Sequence, residues 1–286
     1  MIRTIAPLVP LLAILLGATT MPAPTTAPVP DVRDIEYAKS DGISQKLDAF
    51  VPTGPGPFPI ALIVHGGGWG SGDKEKDITP LFEPLKNAGF VVFTINYRLA
   101  PAYRWPDCYE DVKTAIHWAK THAAEFHADP KRLALIGYSA GGHLAFLAAT
   151  QATGDDTVQA LVGLSPPTDL ELDLPQRGGL SLSLQHLLNR PHELTPDARQ
   201  QLHEMSPINY IHPGLPPVLL LHGTADKSVL FQDSINLQAK LKSVGVECDL
   251  ITLQGAPHNI NYWLKFDPDY PWEITHWLKG KLVSSK

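Results

Sequence analysis

Short, nearly continuous apolar runs alternate along the chain with stretches whose apolar residues recur at helical spacing. Ile60 to Val64, Phe90 to Ile95, Leu133 to Ile136, Val158 to Leu164 and Val218 to Leu221 are runs of the first kind. Their length and unbroken apolar character predict strands covered on both faces. Between them lie predicted helices: Leu81 to Ala88 with Gly89 past its end, a helix opening at Asp107, His143 to Thr150, and Val229 to Val244. In the second of these, Cys108, Val112, Ala115, Ile116, Ala119 and Ala123 share one face, and Asp107 with Glu110 three later has the spacing of a capping box. Val246 to Leu253 is read as the last strand. Strand and helix in regular alternation imply a mostly parallel sheet with helices on both faces. Ahead of it, Ile35 to Ala38 and Lys46 to Val51 read as an antiparallel pair around Ser40-Asp41-Gly42.

The alternation fails in two places. Residues 168–213 carry several prolines and only helix-like pieces at Leu182 to Leu188 and Pro196 to Met205. An insertion between core strands is where a cap over a binding site is expected. At the N-terminus, Met1-Ile2-Arg3 leads into a short apolar run ending near Leu16 and then small residues. Residues 1–23 are therefore expected to be an export signal, with Ala18 and Ala23 as candidate cleavage positions. The run is short for a membrane span, and Pro7 and Pro10 interrupt it, so no stable membrane association is expected after its removal. Residues 24–30, made of Thr, Pro, Ala and Val, read as a linker, and the folded domain is expected over 31–286. The corresponding expectation for location is secreted or periplasmic.

Composition narrows this only a little. A chain of 286 residues with 44% hydrophobic content can bury one large core. A formal charge of −6 gives no basic footprint for nucleic acid. Two cysteines, Cys108 and Cys248, do not make a disulfide scaffold; they read as small buried groups, with a single bridge left open.

Candidate chemistry gathers at predicted strand ends. Gly137-x-Ser139-x-Gly141 stands between an apolar run and a helix, where a sharp turn would push the serine out. Taken alone, the motif is as consistent with a tight turn as with a nucleophile. After the Ile60 to Val64 run comes His65-Gly66-Gly67-Gly68-Trp69, a glycine-rich loop that lets something approach its backbone. Asp226 and His258 each follow a later strand, 87 and 32 residues on in turn, giving the order Ser, Asp, His. Acyl transfer by serine needs a base, a carboxylate to orient that base, and donors for the developing oxyanion. The expected roles are Ser139 as nucleophile, His258 as base and Asp226 as its partner, with the N–H groups of Gly67, Gly68 and Ala140 as oxyanion donors. Trp69 and Tyr138 are candidate substrate contacts. His65, His143 and His222 are read as structural, and Asp169, Glu193 and Asp233 as weaker candidates for the acid. No zinc-binding or nucleotide-binding motif occurs, so neither metal nor cofactor is expected.

Together these residues resemble the α/β-hydrolase carboxylesterases related to the hormone-sensitive-lipase group, and particularly a smaller bacterial branch with bifunctional acetylxylan and feruloyl esterases. The resemblance is carried by His65 to Trp69, Asn96-Tyr97-Arg98-Leu99-Ala100, Asp129-Pro130-Lys131-Arg132, Gly137 to Gly142, His222 to Asp226 and Pro257-His258. It implies an α/β-hydrolase fold with an eight-stranded, mostly parallel sheet and a small cap insertion, and hydrolysis of a small ester or acylated carbohydrate through an acyl-enzyme. The chain departs from members with a large N-terminal cap, so its pocket is expected to be more open, with Leu170 to Met205 as the main cover. Three alternatives stay open at this point: an amidase akin to kynurenine formamidases, a small serine peptidase, and a non-catalytic binding protein on the same fold.

Overall fold

The computed structural model describes residues 28–40 and 42–283. The expected export signal at 1–23 lies outside the described residues. Eight strands form one sheet: β1 (Val32–Ser40), β2 (Ile43–Phe50), β3 (Phe58–Val64), β4 (Val91–Ile95), β5 (Ala128–Tyr138), β6 (Ala160–Leu164), β7 (Val218–Gly223) and β8 (Cys248–Leu253). Their spatial order is β1-β2-β4-β3-β5-β6-β7-β8. β1 and β2 pair antiparallel, as do β2 and β4, and every other neighbour pair is parallel. This is the mostly parallel eight-stranded sheet that the sequence pattern and the resemblance imply.

The apolar runs are continuous because both faces of the sheet are covered. Along β3, Ile60, Leu62 and Val64 point into one core and Ala61 and Ile63 into the other. The first core is closed by α2 (Asp107–Thr121), α3 (Ala140–Gln151) and α7 (Phe231–Ser243), through residues such as Val112, Leu144 and Leu237. The second is closed by α1 (Phe82–Asn87) and α8 (Tyr270–Leu282), through Phe82, Leu85, Ile274 and Leu278. Among the described residues no helix is long and apolar enough to cross a membrane. Cys108 on α2 and Cys248 on β8 are separate, buried, free thiols.

One local expectation is corrected. Asp107 does not cap α2; the residue before the helix is Pro106, and no side chain caps its N-terminus. The Asp107 carboxylate instead accepts from Arg98 Nη1 at 3.1 Å and from the Arg104 N–H at 3.2 Å. Asp111, one turn on, accepts from Arg98 Nη2 at 2.8 Å, and both partners of that pair are nearly buried. These charge-assisted bonds to a nearly buried guanidinium hold Arg98 and its neighbours against α2.

Residues 168–213 hold α4 (Leu174–Arg177), α5 (Leu182–Leu188) and α6 (Pro196–Met205). Two of these begin with side-chain caps, Ser181 accepting from the Leu184 N–H and Thr195 from the Ala198 N–H. The chain order reverses about β3, with β4 on one side and β5 on the other. In an open α/β sheet that switch point, at the carboxyl ends of the strands, is where a cleft forms.

Candidate active site

Ser139 sits between β5 and α3 with φ 51° and ψ −121°, a backbone conformation that non-glycine residues rarely hold. The turn is enforced by contact. A Cβ at Gly137 would strike the Gly141 backbone, and a Cβ at Gly141 would strike the carbonyls of Val64 and His65. The turn is thus pressed directly onto the end of β3, which leaves the serine nowhere to point but outward. Ser139 is 9% exposed.

His258 follows β8, and its Nε2 lies 2.9 Å from Ser139 Oγ. Its Nδ1 lies 2.7 Å from Asp226 Oδ2, in the loop after β7. A carboxylate only accepts, so Nδ1 carries the proton and Nε2 is free to accept from the serine hydroxyl. Asp226 is itself held by the N–H groups of Ser228 and Val229 at 2.8 and 2.9 Å on Oδ1. His222 Nε2 stands 3.3 Å from its other oxygen. Burial works against ionising Asp226, but the bonds from His222, His258 and Val229 outweigh it and hold the carboxyl well below the usual carboxylate range. His222 is tied on its far side to Ser234 Oγ at 2.8 Å, which makes it a support for Asp226.

Gly67, Gly68, Ser139, Ala140 and His258 line one cleft of about 1080 Å³. Gly67 and Gly68 have φ of 107° and 58°, and a Cβ at Gly68 would lie 2.7 Å from Ser183 Oγ of α5. Ala140 opens α3, where the first N–H groups have no intrahelical acceptor. The loop after β3 and the start of α3 therefore bring backbone donors to the same cleft as the serine.

Trp69 and Tyr138 also line this cleft, but their polar atoms are committed elsewhere. Trp69 Nε1 donates to His143 Nδ1 at 3.2 Å, and His143 Nε2 donates to the Met205 carbonyl at 2.8 Å. Burial pushes the His143 imidazole down to about 4, which keeps it neutral in this relay. Tyr138 stacks on the His258 ring at 5.4 Å and donates from its hydroxyl to the His258 carbonyl at 2.9 Å. Both aromatics thus position the loops of the site. His65 stacks on Tyr97 at 4.3 Å and donates from Nδ1 to the Gly66 carbonyl at 2.7 Å, bracing the glycine loop.

Of the other acids, Asp169 and Asp233 line the cleft, but neither faces His258. Asp233 is 2% exposed and accepts from Thr168 N at 3.0 Å, from Asp169 N at 3.3 Å and from the Thr168 hydroxyl. Sequence reasoning gave no part to Asp77, which also lines the cleft. The one local signal was its place in a polar loop just beyond the glycine run. Among the described residues no group of three or more His, Cys, Asp or Glu side chains is placed to hold a metal ion.

Sheet order, the serine at the turn after β5, and an acid and a histidine after β7 and β8 define the α/β-hydrolase class. More particularly, the chain belongs to the BD-FAE family, whose model matches residues 47–241. It is 31% identical to Esterase LipC of Mycobacterium tuberculosis over 77% of this chain and 58% of that protein. The chain thus spans little more than half of that relative's length. It is 27% identical to the versiconal hemiacetal acetate esterase of Dothistroma septosporum, covering 84% of this chain and 77% of the relative. Among solved structures, the butyrate-bound esterase Est2 of Thermogutta terrifontis superposes with a TM-score of 0.70 at 27% identity, covering 90% of this chain and 97% of that one.

Proposed function

We propose that the protein is a serine carboxylesterase acting on short-chain acyl esters through an acyl-enzyme. The observation that carries this reading is the unbroken series from Ser139 Oγ through His258 to Asp226, at 2.9 and 2.7 Å. In it, His258 Nε2 takes the Ser139 proton as Oγ bonds to the ester carbonyl carbon. The carbonyl oxygen becomes an oxyanion facing the N–H groups of Gly67, Gly68 and Ala140. Collapse breaks the bond to the alcohol oxygen, which leaves with the proton from His258. Water, deprotonated by the same nitrogen, then attacks the acyl-enzyme; the acid departs and Ser139 regains its proton. Asp226 holds the imidazole in the tautomer that both halves require.

The acyl group we assign is acetyl or feruloyl, carried on plant carbohydrate. Support comes from the sequence resemblance and from family membership; the acetate named for the fungal relative and the butyrate bound by the thermophilic neighbour are both short acyl chains. The same reading makes residues 1–23 an export signal, 24–30 a linker and 31–286 the catalytic domain with its cap at about 168–213, working outside the cytoplasm.

The test is hydrolysis of p-nitrophenyl acetate by the wild type and by Ser139→Ala. The variant is expected to lose at least about 10³-fold in kcat. Equal rates, or no hydrolysis by the wild type, would sink the proposal. A panel of acetylated xylan, methyl ferulate, N-formylkynurenine and a peptide anilide then identifies the acyl group and separates ester from amide chemistry.

A further inference from the structure

The carboxylates that line the cleft differ in what they touch. Asp169 accepts from the Glu171 N–H at 3.0 Å, Asp173 pairs with Arg177 at 2.7 Å, and Asp233 takes three donors. Asp77 makes no side-chain hydrogen bond and no ion pair among the described residues, although it is only partly exposed. A partly exposed carboxylate without a protein partner can accept from water or from a hydroxyl that enters the cleft.

Its position is fixed by its neighbours. Asp73 Oδ1 accepts from the Glu75 N–H at 2.9 Å, and its carbonyl accepts from Lys76 N at 3.0 Å. Lys74 is anchored in a buried ion pair with Asp48 at 2.9 Å, and Ile78 is fully buried. Held between these anchors, Asp77 adopts φ 64°, in the left-handed region. The backbone at Asp77 is therefore set in place before any ligand binds. Asp77 lines the same cleft as Ser139 and His258.

The cleft lining mixes apolar and polar side chains. The insertion brings Leu170, Leu172 and Leu184 together with the polar Gln176, Arg177 and Ser181, while Ser71, Lys76 and Asp77 come from the loop after β3. A short acyl group fills little of a cleft of about 1080 Å³, which leaves the rest of its mixed lining to the alcohol. We propose that Asp77 is a specificity-determining residue whose carboxylate accepts a hydrogen bond from a hydroxyl on the alcohol half of the ester, selecting polyhydroxylated alcohols over aryl or alkyl ones. This rests on the esterase reading above.

Asp77→Gly and Asp77→Asn test it, since glycine and asparagine both tolerate the left-handed backbone and keep the turn. The ratio of kcat/KM for an acetylated methyl xyloside to that for p-nitrophenyl acetate is expected to fall about tenfold in Asp77→Gly, the worth of one charge-assisted hydrogen bond. KM should carry the change, and Asp77→Asn should lie between. Binding of the same xyloside by Ser139→Ala, followed by calorimetry with and without Asp77→Gly, reads the contact apart from turnover and should weaken by a similar factor. An unchanged ratio, a parallel fall on both substrates, or no binding of the xyloside when Asp77 is intact overturns the proposal. The esterase reading is judged separately, by p-nitrophenyl acetate hydrolysis in the wild type.

Discussion

Asp226 holds its charge against burial because every group around it donates. Its carboxyl is depressed below the ordinary value of 3.8, so ionisation favours the folded state. The resulting stability is in place above that ordinary value and is lost as pH falls through the lower, folded value. Asp226→Asn keeps the shape but removes the charge. It is expected to cost about 10⁴-fold in kcat by releasing the imidazole tautomer, as known for such triads. Acid denaturation followed by circular dichroism should show a shallower loss of stability below pH 3.8 in the variant; an identical acid limb would contradict the assigned bonding. Ser139, Asp226 and His258 were legible in the sequence because each follows an apolar strand, and strand ends share one edge of a parallel sheet. Asp77 was not, since which carboxylates of the cleft find a protein partner is decided by contacts that only folding makes. The capping box was misread for the same kind of reason: Arg98 lies nine residues before Asp107, and only folding shows that it arrives first.

At the level of elements, α3 does more than present the serine. It is buried all round from Ala140 to Thr150, so it has no polar face, and its one histidine must find partners inside the protein. His143 finds them in the glycine loop, through Trp69, and at the end of α6, through Met205. Three elements distant in sequence are thereby held in one arrangement. The sequence marks His143 as structural but gives no sign of its partners, because Trp69 and Met205 are brought to it by the sheet and by the insertion. Because its folded value, about 4, lies below the ordinary 6.5, the unfolded chain binds the proton more readily. Stability is then full above 6.5 and declines as pH falls toward 4. His143→Phe keeps a ring but leaves the Trp69 N–H and the Met205 carbonyl without partners, at about 1–3 kcal/mol for each buried group. Urea denaturation at neutral pH should show that loss, and the decline between 6.5 and 4 should flatten. A variant as stable as the wild type would mean that the relay contributes nothing.

Across the whole molecule, the sheet carries Ser139, Asp226 and His258 at its strand ends while an insertion of helices lines the cleft. A lapse in the strand and helix alternation marks this stretch in the sequence; how it is fastened does not show there. Its two ends are joined to each other, with Ile208 N donating to the Thr168 carbonyl at 3.1 Å and Leu170 N to Ser206 Oγ at 3.0 Å. Asp233, on α7, then pins the first end by accepting both backbone N–H groups and the hydroxyl of Thr168 and Asp169. The insertion is therefore tied down at its base, and loosening should begin there. Asp233→Ala strands these buried donors, and an opening penalty reduced by about 1–3 kcal/mol corresponds to roughly 5- to 150-fold more frequent local opening. Limited proteolysis should then cut within residues 171–205 at least about tenfold faster than in the wild type, with the sheet still protected. Cuts spread evenly over the chain would show that Asp233 supports the fold as a whole. Cuts confined to the insertion, together with a raised KM for p-nitrophenyl acetate, would show that the insertion is held by its base, and that α7 sets the shape of the cleft from a distance.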